Sequence, residues 1–189
     1  MNKVLIFSAP SGSGKTTIVR HLLALFPALE FSVSVTSRTP RGNEQHGVDY
    51  WFVTPDIFRE KITRNEFLEW EEVYAGHFYG TPNAEAERIW AKGHILVCDI
   101  DVKGGLRIKE KLGAQALSVF IQPPSIEALR QRLQARRTDS PEAIERRLQK
   151  AVEELEYAPL FDKVIINHSL HEALKQAERI VREFVGSEG

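Results

Sequence analysis

The sequence predicts an α/β protein with a doubly wound parallel sheet, and three observations lead to that prediction. Short apolar segments at residues 4–7, 95–98, 118–121 and 163–166 have the length of buried strands. They alternate with longer segments whose apolar residues recur every three or four positions, as in amphipathic helices. Small or acidic residues follow two of the strands, which is typical of a ligand crevice at the carboxyl edge of a parallel sheet.

The composition limits the class of protein. A chain of 189 residues with 42% hydrophobic content builds one sizeable core, with room for inserts. Its 25 Lys and Arg residues nearly equal its 26 Asp and Glu residues, so no global basic field attracts nucleic acid or a membrane. The single cysteine excludes an internal disulfide and fits a reducing compartment. With no apolar run of signal or membrane-spanning length, we expect a cytoplasmic protein.

The first strand leads into a candidate phosphate-binding loop. Residues 9–16 match the pattern G-x-x-x-x-G-K-[ST] except at the first position, where Ala9 replaces Gly. Small residues let backbone N–H groups and the N-terminus of the next helix point at phosphate oxygens. Lys15 is then expected to reach the terminal phosphates and Thr16 to place its hydroxyl on a magnesium ion. An ordinary Gly/Ser-rich turn is the alternative.

A short strand is predicted after the first helix, and a small mixed α/β unit follows it over about residues 38–81. Alternating residues over 31–36 predict one short strand, and residues 50–53 predict another. Thr54 and Pro55 predict a helix start, as N-cap and first helical residue. Residues 67–81 predict two strands joined by a turn. This unit is inserted between the first and second units of the core.

The remaining chain alternates helices and strands again. A helix over 83–92 is expected to stop at Gly93, and two acids follow the next strand at Asp99 and Asp101. Later helices are predicted to start at Ser125, at Ser140 and at a Ser169/Glu172 capping box.

Two arginines in the insert are candidates for binding a phosphate group. Arg38 and Arg41 flank Pro40 in a loop beyond a strand, and guanidinium groups make planar, bidentate contacts with phosphate. Tyr50 and Tyr79 have hydroxyls that could reach the same anion. Solvated arginines and packed tyrosines are the alternatives.

Glu69 lies between Leu68 and Trp70, where a carboxylate is costly unless a donor partner is present. Guanine offers two donors on one edge, its N1–H and its amino group, and adenine lacks that edge. The alternative places Glu69 in water on the far side of its strand.

The segment 127–150 is rich in arginine. Arg132 and Arg136 are one helical turn apart and therefore share a face. Such a cluster could close over a triphosphate and stabilise the charge of a transition state. A solvated helix face is the alternative.

The order and spacing of these motifs resemble the guanylate kinase family over nearly the whole chain. The resemblance lies in residues 34–41, 47–50, 67–70, 79–81 and 99–101, and continues through Arg132, Arg136, 146–148 and Asn167. It implies a P-loop kinase core formed by residues 1–37, 82–124 and 159–189. A GMP-binding insert over 38–81 and a helical lid over 125–158 complete the expected chain.

The resemblance also implies ATP-dependent, Mg²⁺-dependent phosphorylation of GMP, and of dGMP, by a monomer or homodimer. Its implied ATP-binding residues are Ser8, Ala9, Pro10, Ser11, Gly12, Ser13, Gly14, Lys15, Thr16, Thr17 and Asn167. Its implied GMP-binding residues are Ser34, Arg38, Arg41, Tyr50, Glu69, Tyr79, Thr81, Asp99 and Asp101. The implied catalytic residues are Lys15, Arg38, Arg132, Arg136 and Arg147, and the implied metal site uses Thr16 and Asp99.

Three positions depart from the family pattern. They are Ala9, Asn43 in place of Gly after Arg41, and Lys103 in place of Gln after the two acids. Asn43 is expected to tolerate a left-handed conformation in place of Gly. Lys103 adds a cation near the metal edge, which could alter phosphate affinity.

Two other functions stay open from the sequence. One is a related kinase with a different acceptor, such as another nucleotide or a ribose bisphosphate. The other is a non-catalytic module that binds phosphorylated peptides. Intact Lys15, Thr16 and arginines argue against the second.

Overall fold

A five-stranded parallel sheet forms the centre of the molecule. The structure is a computed structural model that describes residues 2–135 and 140–186. The sheet has the order β2-β7-β1-β8-β9, and every neighbouring pair is parallel. Its strands are β1 (Val4–Ser8), β2 (Leu29–Phe31), β7 (Ile95–Asp99), β8 (Ala116–Gln122) and β9 (Lys163–Ile166).

Helices cover both faces of this sheet, so the doubly wound prediction is confirmed. Leu5 and Phe7 of β1 pack with α1 (Lys15–Leu25) and α7 (Leu170–Gly186) on one face. Val4 and Ile6 pack on the other face, against residues of α3 (Asn83–Ala91) and α4 (Val102–Leu112). Successive side chains of β1 therefore enter two separate cores, which is why its sequence is apolar without alternation.

A second sheet of four strands has the order β4-β3-β6-β5. The strands are β3 (Val35–Thr36), β4 (Trp51–Phe52), β5 (Phe67–Tyr74) and β6 (His77–Pro82), and both pairings of β6 are antiparallel. Helix α2 (Pro55–Thr63) covers one face. Its Phe58 is buried and stacks on Phe67 at 4.6 Å and on Phe78 at 5.4 Å between ring centroids.

The prediction of one strand over residues 31–36 is wrong. The chain pairs with β7 through Phe31, and the Ser32 amide donates to the Val97 carbonyl at 3.1 Å. It then leaves the parallel sheet and pairs with β4 and β6 from Val35 onward. Alternation reports which side chains are buried, and it carries no information on a change of sheet.

Helices α5 (Ile126–Ala135) and α6 (Pro141–Leu155) pack against each other through Leu129, Leu133 and Leu148. Both predicted N-caps form, because the Ser125 and Ser140 hydroxyls accept backbone N–H groups at 3.1 and 3.3 Å. Helix α6 also reaches the second sheet, where Lys150 Nζ lies 5.1 Å from the ring centroid of Tyr74. Two 3₁₀ turns, Gly113–Gln115 and Ala158–Leu160, complete the described elements.

Among the helices that the structure describes, none combines the length and apolar character required to cross a lipid bilayer.

Candidate active site

The candidate phosphate loop connects β1 to α1. Gly12 and Gly14 have φ angles of 95° and 94°, and the Ser13 amide donates to the Pro10 carbonyl at 3.1 Å. Left-handed glycines turn successive N–H groups toward one side of a loop, and α1 begins directly afterwards at Lys15. The segment therefore has the geometry of an anion site at a helix N-terminus.

Ala9 fits this loop without strain. Asn65 is the one non-glycine residue with positive φ within the described part of the chain, so Ala9 does not need the freedom of glycine. Its side chain packs against the core between the sheet and α1.

Lys15 and Asp99 meet at the carboxyl edge of the sheet. The β1/β7 register pairs Phe7 with Asp99, and the Lys15 ammonium forms an ion pair with the Asp99 carboxylate. Both side chains are about one-fifth exposed, so ligands can reach them. This places the loop cation and a carboxylate side by side at the predicted crevice.

Asp101 holds the start of α4. Its Oδ1 accepts the Lys103 and Gly104 amides at 2.9 and 3.1 Å, while the Ser8 hydroxyl donates to the carbonyls of Ile100 and Asp101 at 3.0 and 3.2 Å. Asp101 is thus fixed at the tip of the β7–α4 connection. The Lys103 side chain is exposed, and its effect on phosphate affinity stays a prediction.

Three predicted residues from distant parts of the chain support the loop. Arg147 Nη1 donates to the Ser11 hydroxyl at 3.0 Å, and Asn167 Nδ2 donates to the Ser13 carbonyl at 2.7 Å. Arg132 donates in turn to the Asn167 carbonyl at 2.8 Å. The structure therefore places Arg147 on the phosphate loop and Arg132 on Asn167, which itself binds the loop. Arg136 lies outside the described residues.

Arg38 is buried in the insert beside a carboxylate, Glu44, that was not among the predicted site residues. Its Nη1 and Nη2 donate to the two Glu44 oxygens at 2.6 and 2.8 Å, and its Nε donates to the Tyr79 hydroxyl at 3.0 Å. The hydrogen bonds from Arg38 lower the pKa of Glu44 to about 2, and Glu44 raises the pKa of Arg38 above its already high value. In the sequence, the only indication of this partner is that an acidic residue, Glu44, lies three positions after Arg41.

The other phosphate candidates of the insert surround Arg38. The Tyr50 ring centroid lies 4.9 Å from Arg38 Cζ, and burial raises the pKa of Tyr50. Arg41 is exposed, and its backbone N–H donates to Glu44 at 2.8 Å. Asn43 does not need the left-handed conformation that it was expected to tolerate, because Gly42, with φ of 55°, is the left-handed residue of this loop.

Glu69 is buried, which contradicts the solvent-facing alternative. Only 6% of the residue is exposed. Its Oε1 accepts the Thr81 hydroxyl at 2.8 Å and the Thr81 amide at 3.1 Å. Burial, assisted by the nearby Asp101 carboxylate, raises the pKa of Glu69 to about 7. Ser34 is half-buried on the neighbouring segment, and its carbonyl accepts the Trp51 amide at 2.8 Å.

The residues at the sheet edge fit a magnesium ion that is shared with a nucleotide. Within residues 2–135 and 140–186, no three His, Cys, Asp or Glu side chains are grouped to hold a metal. Magnesium bound to nucleotides needs only one or two protein oxygens, because phosphates and waters supply the rest. Asp99 and the exposed hydroxyl of Thr16, in the first turn of α1, provide such a pair.

Comparisons with known proteins agree over the whole chain. A family model described as guanylate kinase matches residues 1–184. Guanylate kinases of Bacteroides fragilis (strain YCH46) and Porphyromonas gingivalis are 57% and 47% identical to the chain. These alignments cover 97% and 98% of this chain and 90% and 99% of the relatives.

A solved structure gives the same result. The crystal structure of guanylate kinase from Anaplasma phagocytophilum superimposes with a TM-score of 0.75 at 30% identity, covering 96% of this chain and 85% of that one. With a phosphate loop, a buried acid and an arginine pocket around one crevice, and with this similarity along its full length, the chain belongs to the guanylate kinase family.

Proposed function

We propose which residues of this enzyme bind GMP and which bind ATP when GMP is phosphorylated to GDP. The observation that carries the proposal is the position of the β7–α4 connection. Asp99 at its start pairs with Lys15 of the phosphate loop, and Asp101 at its end lies close to the buried Glu69 carboxylate. Donor and acceptor nucleotides bound at these two places would meet across one short segment.

The acceptor half of the site is assigned to the insert. Glu69 accepts the N1–H and amino group of guanine, while Thr81 holds the carboxylate and Ser34 lies beside the base. Arg38, with Arg41, Tyr50 and Tyr79, binds the phosphate of the acceptor. These contacts involve the base and the phosphate, so the proposal includes dGMP as an acceptor.

The donor half is assigned to the loop and to α5 and α6. Backbone N–H groups of residues 9–14 and the Lys15 ammonium bind the ATP phosphates. Arg147 contacts this loop, and Arg132 contacts Asn167, which binds the loop. We assign both arginines to the ATP phosphates, together with Arg136. We assign Asn167 to a position near the adenine, and its buried Oδ1 lacks a partner within the described residues.

Thr16 and Asp99 would hold magnesium, which supplies charge neutralisation between the phosphates when it is bound. The transfer needs no general base, because the attacking oxygen belongs to a phosphate whose second pKa is about 6. The protein contributes alignment and positive charge, and closure of the insert and lid excludes water from the γ-phosphoryl group.

We assign residues 1–37, 82–124 and 159–189 to the core, residues 38–81 to the GMP insert and residues 125–158 to the lid. We also propose a cytoplasmic location, because Cys98 is a free, buried thiol and thiols stay reduced in that compartment.

The test is steady-state kinetics of Glu69→Ala with ADP release as the readout. We expect kcat/KM for GMP to fall while KM for ATP stays within about twofold, because Glu69 belongs to the acceptor half. Glu71→Ala is the matched control, since Glu71 is on the same strand and pairs with the exposed Arg107. Unchanged GMP kinetics in Glu69→Ala would refute the assignment.

A panel of acceptors tests the two other functions. With ATP and Mg²⁺, GMP and dGMP should release ADP far faster than AMP, UMP or a ribose bisphosphate. Comparable turnover of any of these would identify another kinase. Binding of a phosphorylated peptide without ADP release from GMP would identify a non-catalytic module.

A further inference from the structure

Two adjacent glycines of α4 lie where this helix packs closely on its neighbours. Gly104 and Gly105 are both buried in the first turns of α4. Neither has a positive φ, so their backbone conformation is open to any residue. Glycine also weakens a helix relative to alanine. The absence of side chains here therefore calls for a steric explanation.

Each glycine faces a different structure. A Cβ atom on Gly105 would lie 2.9 Å from Oγ of Ser8 and 3.0 Å from Cγ2 of Ile6, so Gly105 permits α4 to pack on β1. A Cβ atom on Gly104 would lie 2.7 Å from Oε2 of Glu69 and 3.1 Å from Oδ2 of Asp101. Gly104 therefore faces the carboxylate that we assign to guanine.

We propose that Gly104 is a specificity-determining position: its missing side chain provides the space in which the Glu69 carboxylate takes the orientation that reads guanine. The inference rests on the proposed contact between Glu69 and the base. It concerns how that contact is positioned, and it adds a residue from outside the insert to the acceptor site.

Helix α4 cannot move aside to accept a methyl group at position 104. The Ser8 hydroxyl binds the carbonyls of Ile100 and Asp101, and the Ile100 amide donates to the Phe7 carbonyl at 3.2 Å, so the start of α4 is tied to β1. Val102 and Ile108 anchor the same helix in two cores. The group that can move is the Glu69 carboxylate, because it is the end of a flexible side chain that lies against position 104.

Rotation of Glu69 away from position 104 has a specific chemical result. Oε1 is held by the Thr81 hydroxyl and amide, so Oε2 is the oxygen that a methyl group would displace. A carboxylate with one displaced oxygen loses one of two charge-assisted hydrogen bonds to guanine. The fold persists, and the bidentate recognition is lost.

The experiment is a double-mutant cycle between positions 104 and 69. We expect Gly104→Ala to raise KM for GMP about tenfold, the effect of one lost hydrogen bond to a charged group. KM for ATP should stay the same, and the melting temperature should be unchanged or higher, because alanine favours the helix. In a Glu69→Ala background, Gly104→Ala should have no further effect on KM for GMP.

Gly105→Ala is the matched control, with the same added methyl group one residue away. It should lower the melting temperature, because the added methyl group would clash with Ser8 and Ile6, which are buried in strand β1. It should change KM for GMP much less than Gly104→Ala does.

Three results would overturn the inference. They are an unchanged KM for GMP in Gly104→Ala, the same rise in both backgrounds, and loss of the folded state, which would mean that Glu69 cannot yield. If Glu69→Ala itself leaves KM unchanged, the guanine contact fails as well. If Glu69→Ala raises KM and Gly104→Ala does not, only the role of Gly104 fails.

Discussion

Ionisation of Glu69 should control how well the enzyme uses GMP near neutral pH. Loss of water around this buried carboxyl raises its pKa most, the hydrogen bonds from Thr81 oppose that shift, and the Asp101 carboxylate adds to it. Arg107 on α4 lowers it slightly, and the net pKa is about 7. Guanine donates two hydrogen bonds, so it requires the ionised form, which accepts with both oxygens.

The size of the effect follows from this pKa. About half of the free enzyme is ionised near pH 7, and about one-tenth near pH 6, so kcat/KM for GMP should fall about tenfold from its plateau above pH 8 to pH 6. The sign is fixed by the chemistry: the active form lacks the proton, and activity rises with pH. If this carboxyl were exposed and had the ordinary glutamate pKa of about 4.3, the same fall in kcat/KM would occur near pH 4.3.

The assay measures kcat/KM for GMP by ADP release at saturating ATP between about pH 5.5 and 8.5. The GMP phosphate also titrates, with a second pKa of about 6. Glu69→Gln is therefore measured in parallel, since it has the same substrate titration and no carboxyl group at position 69. The ratio of wild type to Glu69→Gln should rise about tenfold from pH 6 to pH 8. A constant ratio would refute the reasoning.

Two further predictions concern the donor site and the stability of the insert. Lys15→Ala should abolish phosphoryl transfer while circular dichroism and melting temperature stay close to wild type. The reason is that Lys15 lies at the crevice and, among the contacts described, pairs only with Asp99. Full activity of this variant would remove the loop from the mechanism. Thr54→Ala should destabilise α2 by about 1 kcal/mol, because its hydroxyl accepts the Ile57 amide at 3.3 Å. That loss corresponds to a fall of about 2–4 °C in melting temperature. The control Thr63→Ala, which removes an exposed hydroxyl at the end of the same helix, should lower the melting temperature less. Equal shifts in the two variants would contradict the capping role of Thr54.

Features governed by local spacing were predictable from the sequence. The loop over 9–16, the helix start at Thr54 and the strand at Phe67–Tyr74 depend on neighbouring residues, and the structure contains all three. Glu69 was a candidate because an acid among aromatic residues needs a partner, and its burial is confirmed. Its role toward guanine stays a prediction.

Features that depend on distant pairing could not be predicted in this way. The change of sheet after Phe31 is decided by β7, β4 and β6, none of which is near it in sequence. Asn167 was assigned through the resemblance, and its bond to the Ser13 carbonyl joins residues separated by 154 positions. Gly104 carries no chemical group, so only the approach of Glu69 in three dimensions reveals it.

With Arg38 as the proposed ligand of the GMP phosphate, its pairing with Glu44 means that the pocket would hold its own counter-ion while no nucleotide is bound. Four of the guanidinium's five N–H donors are satisfied by the surrounding residues that the structure describes, two of them by this one carboxylate. A free inorganic anion would have to compete with the Glu44 carboxylate, and it has no purine base to add binding contacts. On the proposed assignment, free phosphate or sulfate would have to displace Glu44 through Arg38 alone, whereas GMP would also be held through its base.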